Sequence, residues 1–352
     1  MSGAPGDTNP PRRATISDVA REAGTGKTSI SRYLNGEMSV LSEDIRTRIA
    51  AAIERLDYQP NQMARGLKRG RNRLIGMLLA DLTNPYSVEV LQGVEAACHA
   101  LGYMPLICHA ANEVEMERRF LQLLTTYRVE GVIVNALGVS EETLRPVGSG
   151  IPAVLVDRMI EGLAADMVGL DNADAVNRAT RHLLEQGFDD IRFVVQPYES
   201  VSSRRLREAA FHATLREQQR AGEARGEARG ETVVLDLADE TSVARTLAQL
   251  DAAIDAAPRR LALFAANAPV ALRIALHLNQ RLGARWPERV ALLSIDDPDW
   301  AELAGITTVR QPTYDIGYRA VEFLHERIDG AKAPARDCLL PGELIVRAST
   351  TR

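Results

Sequence analysis

The chain has 352 residues, 45% hydrophobic and 25% charged, with a net charge of −5, which is the make-up of an ordinary globular protein with room for two or three domains. No apolar run reaches bilayer-spanning length, and the start Met1-Ser-Gly-Ala-Pro-Gly-Asp lacks the basic and apolar regions of a signal peptide, so a cytoplasmic protein with no membrane partner is expected. Three cysteines without close pairing, Cys98, Cys108 and Cys338, and six scattered histidines support neither a disulfide framework nor a metal site, and no cofactor is expected.

Charge is unevenly placed along the chain. From Arg12 to Arg73 there are 13 Lys and Arg against 7 Asp and Glu, a local excess of +6 that leaves −11 for the rest of a chain totalling −5. A basic head on an acidic body implies that the head meets a polyanion and the body does not.

Residues 1–14 read as a disordered tail. In Thr15-Ile-Ser-Asp-Val-Ala-Arg-Glu-Ala23, Ile16, Val19, Ala20 and Ala23 fall at i, i+3, i+4 and i+7, one stripe of a short helix. Thr15 or Ser17 suits its start and Gly24 its left-handed end. The following Gly24-Thr-Gly-Lys-Thr-Ser29 carries the Gly-Lys-Thr of a phosphate-binding loop, but Arg21 stands where that loop needs its first glycine, and no apolar strand runs into it. A helix that stops at glycine, turns and restarts predicts a helix-turn-helix.

The second helix, Lys27 to Leu34, places Ile30, Tyr33 and Leu34 inward and leaves Lys27, Thr28, Ser31 and Arg32 outside, with Asn35-Gly36 ending it. Lys27, Thr28 and Arg32 have the chemistry of base-edge contacts. A third helix from Ser42 to Leu56 carries Ile45, Ile49, Ile53 and Leu56 along one side behind a serine cap. Tyr58 to Arg73, with Pro60, Gly66 and Gly70, reads as a linker that becomes helical only when held.

From Arg73 the pattern changes. Short apolar runs such as Leu74–Ala80, Leu106–Cys108, Gly131–Asn135 and Ala153–Asp157 alternate with helical stretches, and the alternation restarts after Asn172 with Ile191–Val195, Thr232–Leu235, Leu261–Phe264 and Val290–Ile295. This predicts two parallel sheets, each covered on both faces, and so two lobes with a cleft. Ligands in such folds bind outside the carboxyl ends of strands, which selects Asp81, Asn84, Asn135, Asp157, Arg158, Gln196, Asn267, Asp296 and Asp297.

The segments "TISDVAREAG", "SRYLNG" and "LSEDIRTRIAAAIERLDYQPNQMARGLKRGRNRLIGMLLADLTNPY" resemble the LacI/GalR family of bacterial repressors, and the likeness extends over nearly the whole chain from Thr15 onward. The resemblance implies an N-terminal all-α helix-turn-helix head at 15–59 and a hinge helix or linker at 60–72. It also implies an α/β two-lobed, periplasmic-binding-protein-like body of two doubly wound parallel sheets at 73–346. The first lobe would take about 73–171 plus 312–330 and the second about 172–311 plus 331–346. On DNA the family pattern selects Thr15, Lys27, Thr28, Ser31, Arg32 and Asn35 in the head, and Asn61, Ala64, Leu67 and Lys68 in the hinge. Leu67 would be the wedge that kinks the central base step, or else a plain core leucine. In the cleft it selects Asn84, Tyr86, Ser87, Asp157, Arg158, Asp171, Arg207, Asn267, Asp296 and Gln311, to which the strand-end rule adds Asn135, with Trp300 either stacked on the ligand or part of the core. The family usually has a small apolar residue and then serine where this chain has Thr25 and Gly26.

The implied function is a transcriptional regulator, a repressor of carbohydrate or sugar-acid catabolism and not an enzyme, binding a palindromic operator as a homodimer under control of a small-molecule effector. Arg158 and Arg207, with Arg205 as a possible third, suit a carboxylate or phosphate. The wording of "NPYSVEVLQGVEAACHALGY" and "YRVEGVIVNALG" also resembles family members that respond to ketogluconate-type acids. An anionic sugar derivative such as 2-ketogluconate is therefore the expected ligand, with a neutral sugar or purine as alternatives. A freestanding sugar-binding protein is the rival reading, and it leaves the basic head without a purpose. Arg216 to Glu231, with its tandem "GEARGEARGE", reads as an exposed loop.

Overall fold

The computed structural model describes residues 14–59, 71–137, 150–160, 162–199, 201–221, 228–257 and 260–351. The tail 1–13 and the hinge candidates Asn61, Ala64, Leu67 and Lys68 lie outside these residues. The chain divides into two compact units, Met1–Asn72 and Arg73–Arg352.

In the first unit, α1 (Ile16–Glu22), α2 (Lys27–Leu34) and α3 (Glu43–Arg55) form the head. Thr15 caps α1: its backbone N–H and hydroxyl donate to Asp18 Oδ2 at 2.9 and 2.7 Å, while Asp18 N–H donates back to Thr15 Oγ1. Gly24, at φ +62°, and Gly36, at φ +76°, take the left-handed turns that end α1 and α2. Among the described residues no strand precedes the turn, and Gly26-Lys27-Thr28 opens α2 rather than a phosphate loop. Val19, Ile30, Ile49 and Ala52 are fully buried where the three helices meet, each of the branched side chains contributing about 1.5–3 kcal/mol.

The second unit runs β1 (Leu74–Leu79), α4 (Pro85–Leu101), β2 (Met104–His109), α5 (Val114–Thr126), β3 (Gly131–Asn135), β4 (Ala153–Val156) and β5 (Asp166–Leu170). It continues with α6 (Asn172–Glu185), β6 (Asp190–Val195), α7 (Ser202–Ala221), β7 (Arg229–Val234), α8 (Glu240–Ala256), β8 (Leu261–Ala265), α9 (Ala268–Leu282), β9 (Val290–Ile295), α10 (Asp299–Leu303) and β10 (Thr307–Arg310). Last come α11 (Thr313–Ile328), β11 (Asp337–Leu340) and β12 (Glu343–Ile345). The strands form two six-stranded sheets, ordered β11-β5-β4-β3-β1-β2 and β12-β10-β9-β8-β6-β7. All neighbours are parallel except β12, which pairs antiparallel with β10. Apolar clusters cover both faces of each sheet, as crossover helices require.

After β10 the chain returns to the first sheet, where α11 lies on α4. A Cβ on Gly93 would stand 2.0 Å from Tyr314 O, and one on Gly317 2.0 Å from Val90 O, so two facing glycines let these backbones touch.

The expected lobe boundary needs one correction. Residues 331–346 do not all join the second lobe: β11 adds to the first sheet beside β5, and only β12 joins the second. A buried charge cluster directs that return. Asp166, at the start of β5, accepts from Arg327 of α11 at 2.7 and 2.8 Å and from Arg336 just before β11 at 3.0 Å. These arginines hold its carboxyl well below the usual range against the opposing effect of burial. The fold also continues past residue 346, since Arg347 pairs with Asp297 at 2.6 Å and Ser349 and Thr350 are fully buried. Nor is Arg216 to Glu231 wholly loop, because α7 extends to Ala221 and β7 begins at Arg229.

Candidate functional site

On the head, Gly26 opens α2 without a side-chain cap, so the first turn presents Lys27 and Thr28, both exposed, with Arg32 exposed and Ser31 half-buried one turn on. Asn35 ends the helix, its backbone N–H donating to Ser31 and Arg32 carbonyls. Thr15 is occupied as the cap of α1. The outer side of α2 is thus cationic and hydroxylated at its N-terminal end, the arrangement by which a recognition helix meets base edges.

In the second unit, the carboxyl ends of both sheets line a cavity of about 1000 Å³, a size suited to a small ligand. The chain turns at two related places: Asp157 follows β4 at φ +67° and Asp296 follows β9 at φ +76°. Their N–H groups donate to Val168 O and Val309 O across the neighbouring strands, at 3.1 and 2.9 Å. Asp157 also bridges the lobes, accepting from Ser203 Oγ of α7 at 3.2 Å.

Asp296 is enclosed. Ala268 N–H donates to it at 2.9 Å and Gln311 Nε2 at 2.5 Å, and burial pushes its carboxyl pKa up. Burial likewise pushes the Tyr86 hydroxyl well above the tyrosine range, with the Asp157 charge adding to it. Four residues of the cavity lining carry buried polar atoms without a hydrogen-bond partner among the described residues: the Tyr86 hydroxyl, Asp157 Oδ1, Nε and Nη1 of Arg158, and Gln311 Oε1. Native interiors rarely leave so many polar atoms unsatisfied together unless a ligand or water completes them.

Of the residues expected in the cleft, Asn84, Tyr86, Ser87, Asn135, Asp157, Arg158, Arg207, Asn267, Asp296, Trp300 and Gln311 all line the cavity. Asn84 and Asn267 do so while capping α4 and α9. Trp300 both lines the cavity and packs on a core cluster. Asp171 is not brought there: its side chain caps α6 by accepting from Asp174 N–H at 3.0 Å. Asp297 is also absent from the lining, being held by Arg347, Arg310 and Thr308.

Arg207 is buried, but Nε donates to Asn172 Oδ1 at 2.6 Å and Nη1 to Ala266 O at 2.7 Å, so much of its fork braces the protein. Arg204, not the exposed Arg205, joins Arg158 and Arg207 in lining the cavity. Burial first, then repulsion from Arg158, pull the Arg204 pKa down to about 10. The sequence reading also missed Asn112, Asp236 and Arg273. Asp236 lies two residues past β7 and was open to the strand-end rule; nothing local marks Arg273.

Comparisons with known proteins agree with this architecture. Residues 15–61 match the model for bacterial regulatory proteins of the lacI family, and residues 180–350 match a periplasmic binding protein-like domain. The chain is 44% identical to the HTH-type transcriptional regulator PtxS of Pseudomonas aeruginosa, over 96% of each chain. It is 33% identical to the HTH-type transcriptional regulator KdgR of Bacillus subtilis, over 95% of this chain and 97% of the relative. The fold superposes on the Lac repressor dimer bound to operator and the anti-inducer ONPF with TM-score 0.82 at 23% identity, covering 97% of this chain and all of that one. With its helix-turn-helix head, its two-lobed body and full-length relatives that are regulators, the chain belongs to the lacI family of bacterial regulatory proteins and is a DNA-binding transcriptional regulator, not an enzyme.

Proposed function

We propose that this regulator acts as a homodimeric repressor of sugar-acid catabolism, holding a palindromic operator through paired heads and releasing or tightening it when a polyhydroxylated acid such as 2-ketogluconate fills the cleft. The observation that carries the ligand class is the cavity itself, where Arg158, Arg204 and Arg207 stand among carboxylate and amide acceptors. Guanidinium forks match carboxylate oxygens, and the acceptors match sugar hydroxyls.

On the head, Lys27, Thr28, Ser31 and Arg32 would read the half-site, with Thr15 and Asn35 near the backbone. The hinge positions Asn61, Ala64, Leu67 and Lys68 would carry the minor-groove contacts. Phosphate contacts make the affinity fall with salt. Coupling between effector and operator on the usual scale of about 1–3 kcal/mol changes operator affinity ~5–150-fold. Asp171, which caps α6, would act on the effector only through the position of Asn172.

The test is selection of bound fragments from random duplex DNA by the purified protein, repeated with 2-ketogluconate or gluconate. A palindrome whose recovery one acid abolishes or strengthens supports the reading. Recovery that no sugar acid alters, while a neutral sugar or purine alters it, overturns the ligand class; binding without sequence preference under every ligand overturns the operator reading.

A further inference from the structure

Four arginines line the cavity, Arg158, Arg204, Arg207 and Arg273, and the structure separates them by what their nitrogens already hold; Arg273 lies 3.7 Å from the Glu240 carboxylate. Arg207 is tied to Asn172 and Ala266, and its Nη2 lies 3.8 Å from Asp157 Oδ1. Arg204 donates to Pro197 O at 2.8 Å and to Gln196 Oε1 at 3.0 Å, two neutral acceptors that orient the guanidinium without cancelling its charge. Arg158 is the least satisfied, because Nε and Nη1 are buried with no hydrogen-bond partner among the described residues. Among the described residues its ion contact is Nε to Asp157 Oδ2 at 3.4 Å, an oxygen already accepting from Ser203. The other buried carboxylate of the cavity, Asp296, is committed to Ala268 and Gln311.

Arg158 and Arg204 repel one another, and although the lining also holds Asp81, Asp157, Asp236 and Asp296, the buried Nε and Nη1 of Arg158 have no hydrogen-bond acceptor among the described residues. Burying like charges together is costly unless an anion joins them. We infer that Arg158, from the end of β4, and Arg204, from the first turn of α7, form a two-arginine clamp for the single anionic group of the effector, while Arg207 is a brace. The unsatisfied acceptors, Asp157 Oδ1 and Gln311 Oε1, then take the ligand's hydroxyls. The occupant is a polyol with one carboxylate or phosphate end. Because the clamp draws on both lobes, it also gives the anion a direct part in holding them together. This inference rests on the sugar-acid reading and names the residues that would enforce it.

The experiment is calorimetric titration of the full chain with 2-ketogluconate, gluconate, glucose 6-phosphate and glucose, for the native protein and for Arg158→Gln, Arg204→Gln and Arg205→Gln. Loss of one charge-assisted contact is expected to weaken the anionic ligand about 10–100-fold in each of the first two variants. Glucose affinity and the Arg205→Gln variant should stay within about threefold. Unliganded Arg204→Gln should melt no lower than the native protein, since a half-buried cation facing Arg158 has gone; a structural arginine would show the reverse, and a melting temperature lower by more than about 5 °C overturns the clamp.

If the native protein binds an acid and both variants keep its affinity within about threefold, the clamp is wrong and the sugar-acid reading stands. Loss in only one variant overturns the pairing. If the native protein binds glucose 6-phosphate and neither acid, and the variants lose it, the clamp holds and the sugar-acid reading falls. Binding of glucose alone overturns both.

Discussion

The ends of β4 and β9 have the same backbone and opposite electrostatics. Asp157 and Asp296 occupy matching strands of the two sheets, both at positive φ, and both are tied to the neighbouring strand. At Asp296 the acceptors are spent inside the protein, on a helix N-terminal N–H and an amide. At Asp157 one oxygen has no hydrogen bond and the neighbouring arginine is unsatisfied. The carboxylate on one side of the cleft is satisfied within the protein, and the one on the other side is not. The lesson is that strand-end geometry builds the cavity, whereas unspent hydrogen-bonding capacity decides where it is selective.

The largest way to break this contrast is Asp296→Ala. It leaves the Ala268 N–H and the Gln311 amide without acceptors in a buried place, at about 1–3 kcal/mol each, partly offset because a buried charge has gone. A net loss of about 2–3 kcal/mol in urea unfolding of the unliganded protein is expected; no loss would mean that Asp296 is not the satisfied side.

The same residue gives a pH signature. Its folded pKa is raised, so its contribution is fully present below the ordinary unfolded value near 3.8 and is lost as pH rises through the folded value. Asp166 runs the other way: its folded pKa is lowered, so its contribution is present above that same unfolded value and is lost as pH falls toward the folded one. Asp296→Asn should flatten the decline of stability above about pH 4, and Asp166→Asn the decline below it. Melting curves from pH 3 to 8 that changed slope in the opposite windows would contradict the assignment.

Asp157→Ala should separate stability from binding. Unliganded stability is expected to move by no more than about 1 kcal/mol, because the lost contacts are a hydroxyl and loosely paired arginines. Effector affinity should drop about tenfold or more by calorimetry. A large stability loss with affinity intact would reverse the roles of the two sides.

The smallest effect tests where the two sides should match. Asn84→Ala and Asn267→Ala each remove a helix cap, Asn84 accepting from Tyr86 N–H at 3.2 Å and Asn267 from Val270 N–H at 3.1 Å. Each is expected to cost about 1 kcal/mol. Asn267 should cost the more of the two, since its amide also donates to Gln196 at 2.8 Å; equal losses would show that this link is idle.

Much of the protein was written locally. The Thr15 cap, the glycine turns and the i, i+3, i+4 stripe specify the head between Thr15 and Arg55, because helix signals act over a turn or two. Buried strands such as β1, β3, β8 and β9 are apolar runs and were legible as such. The strands that escaped, β5, β10, β11 and β12, are three to five residues long and carry polar positions such as Asp166, Thr307 and Glu343, so neither run length nor alternation marks them.

The sequence by itself determined the head, the two-sheet plan and most of the residues that reach the cleft, since these follow from caps, periodicity and strand ends. Only the tertiary structure decided that β11 returns to the first sheet, through Asp166 meeting arginines about 160 and 170 positions away. It alone decided that Arg204 lines the cavity while Arg205 does not, and that Arg207 is already tied. An arginine's role depends on which acceptors it has met, and Asn172 and Ala266 come to Arg207 from 35 and 59 residues away, beyond the reach of any local pattern.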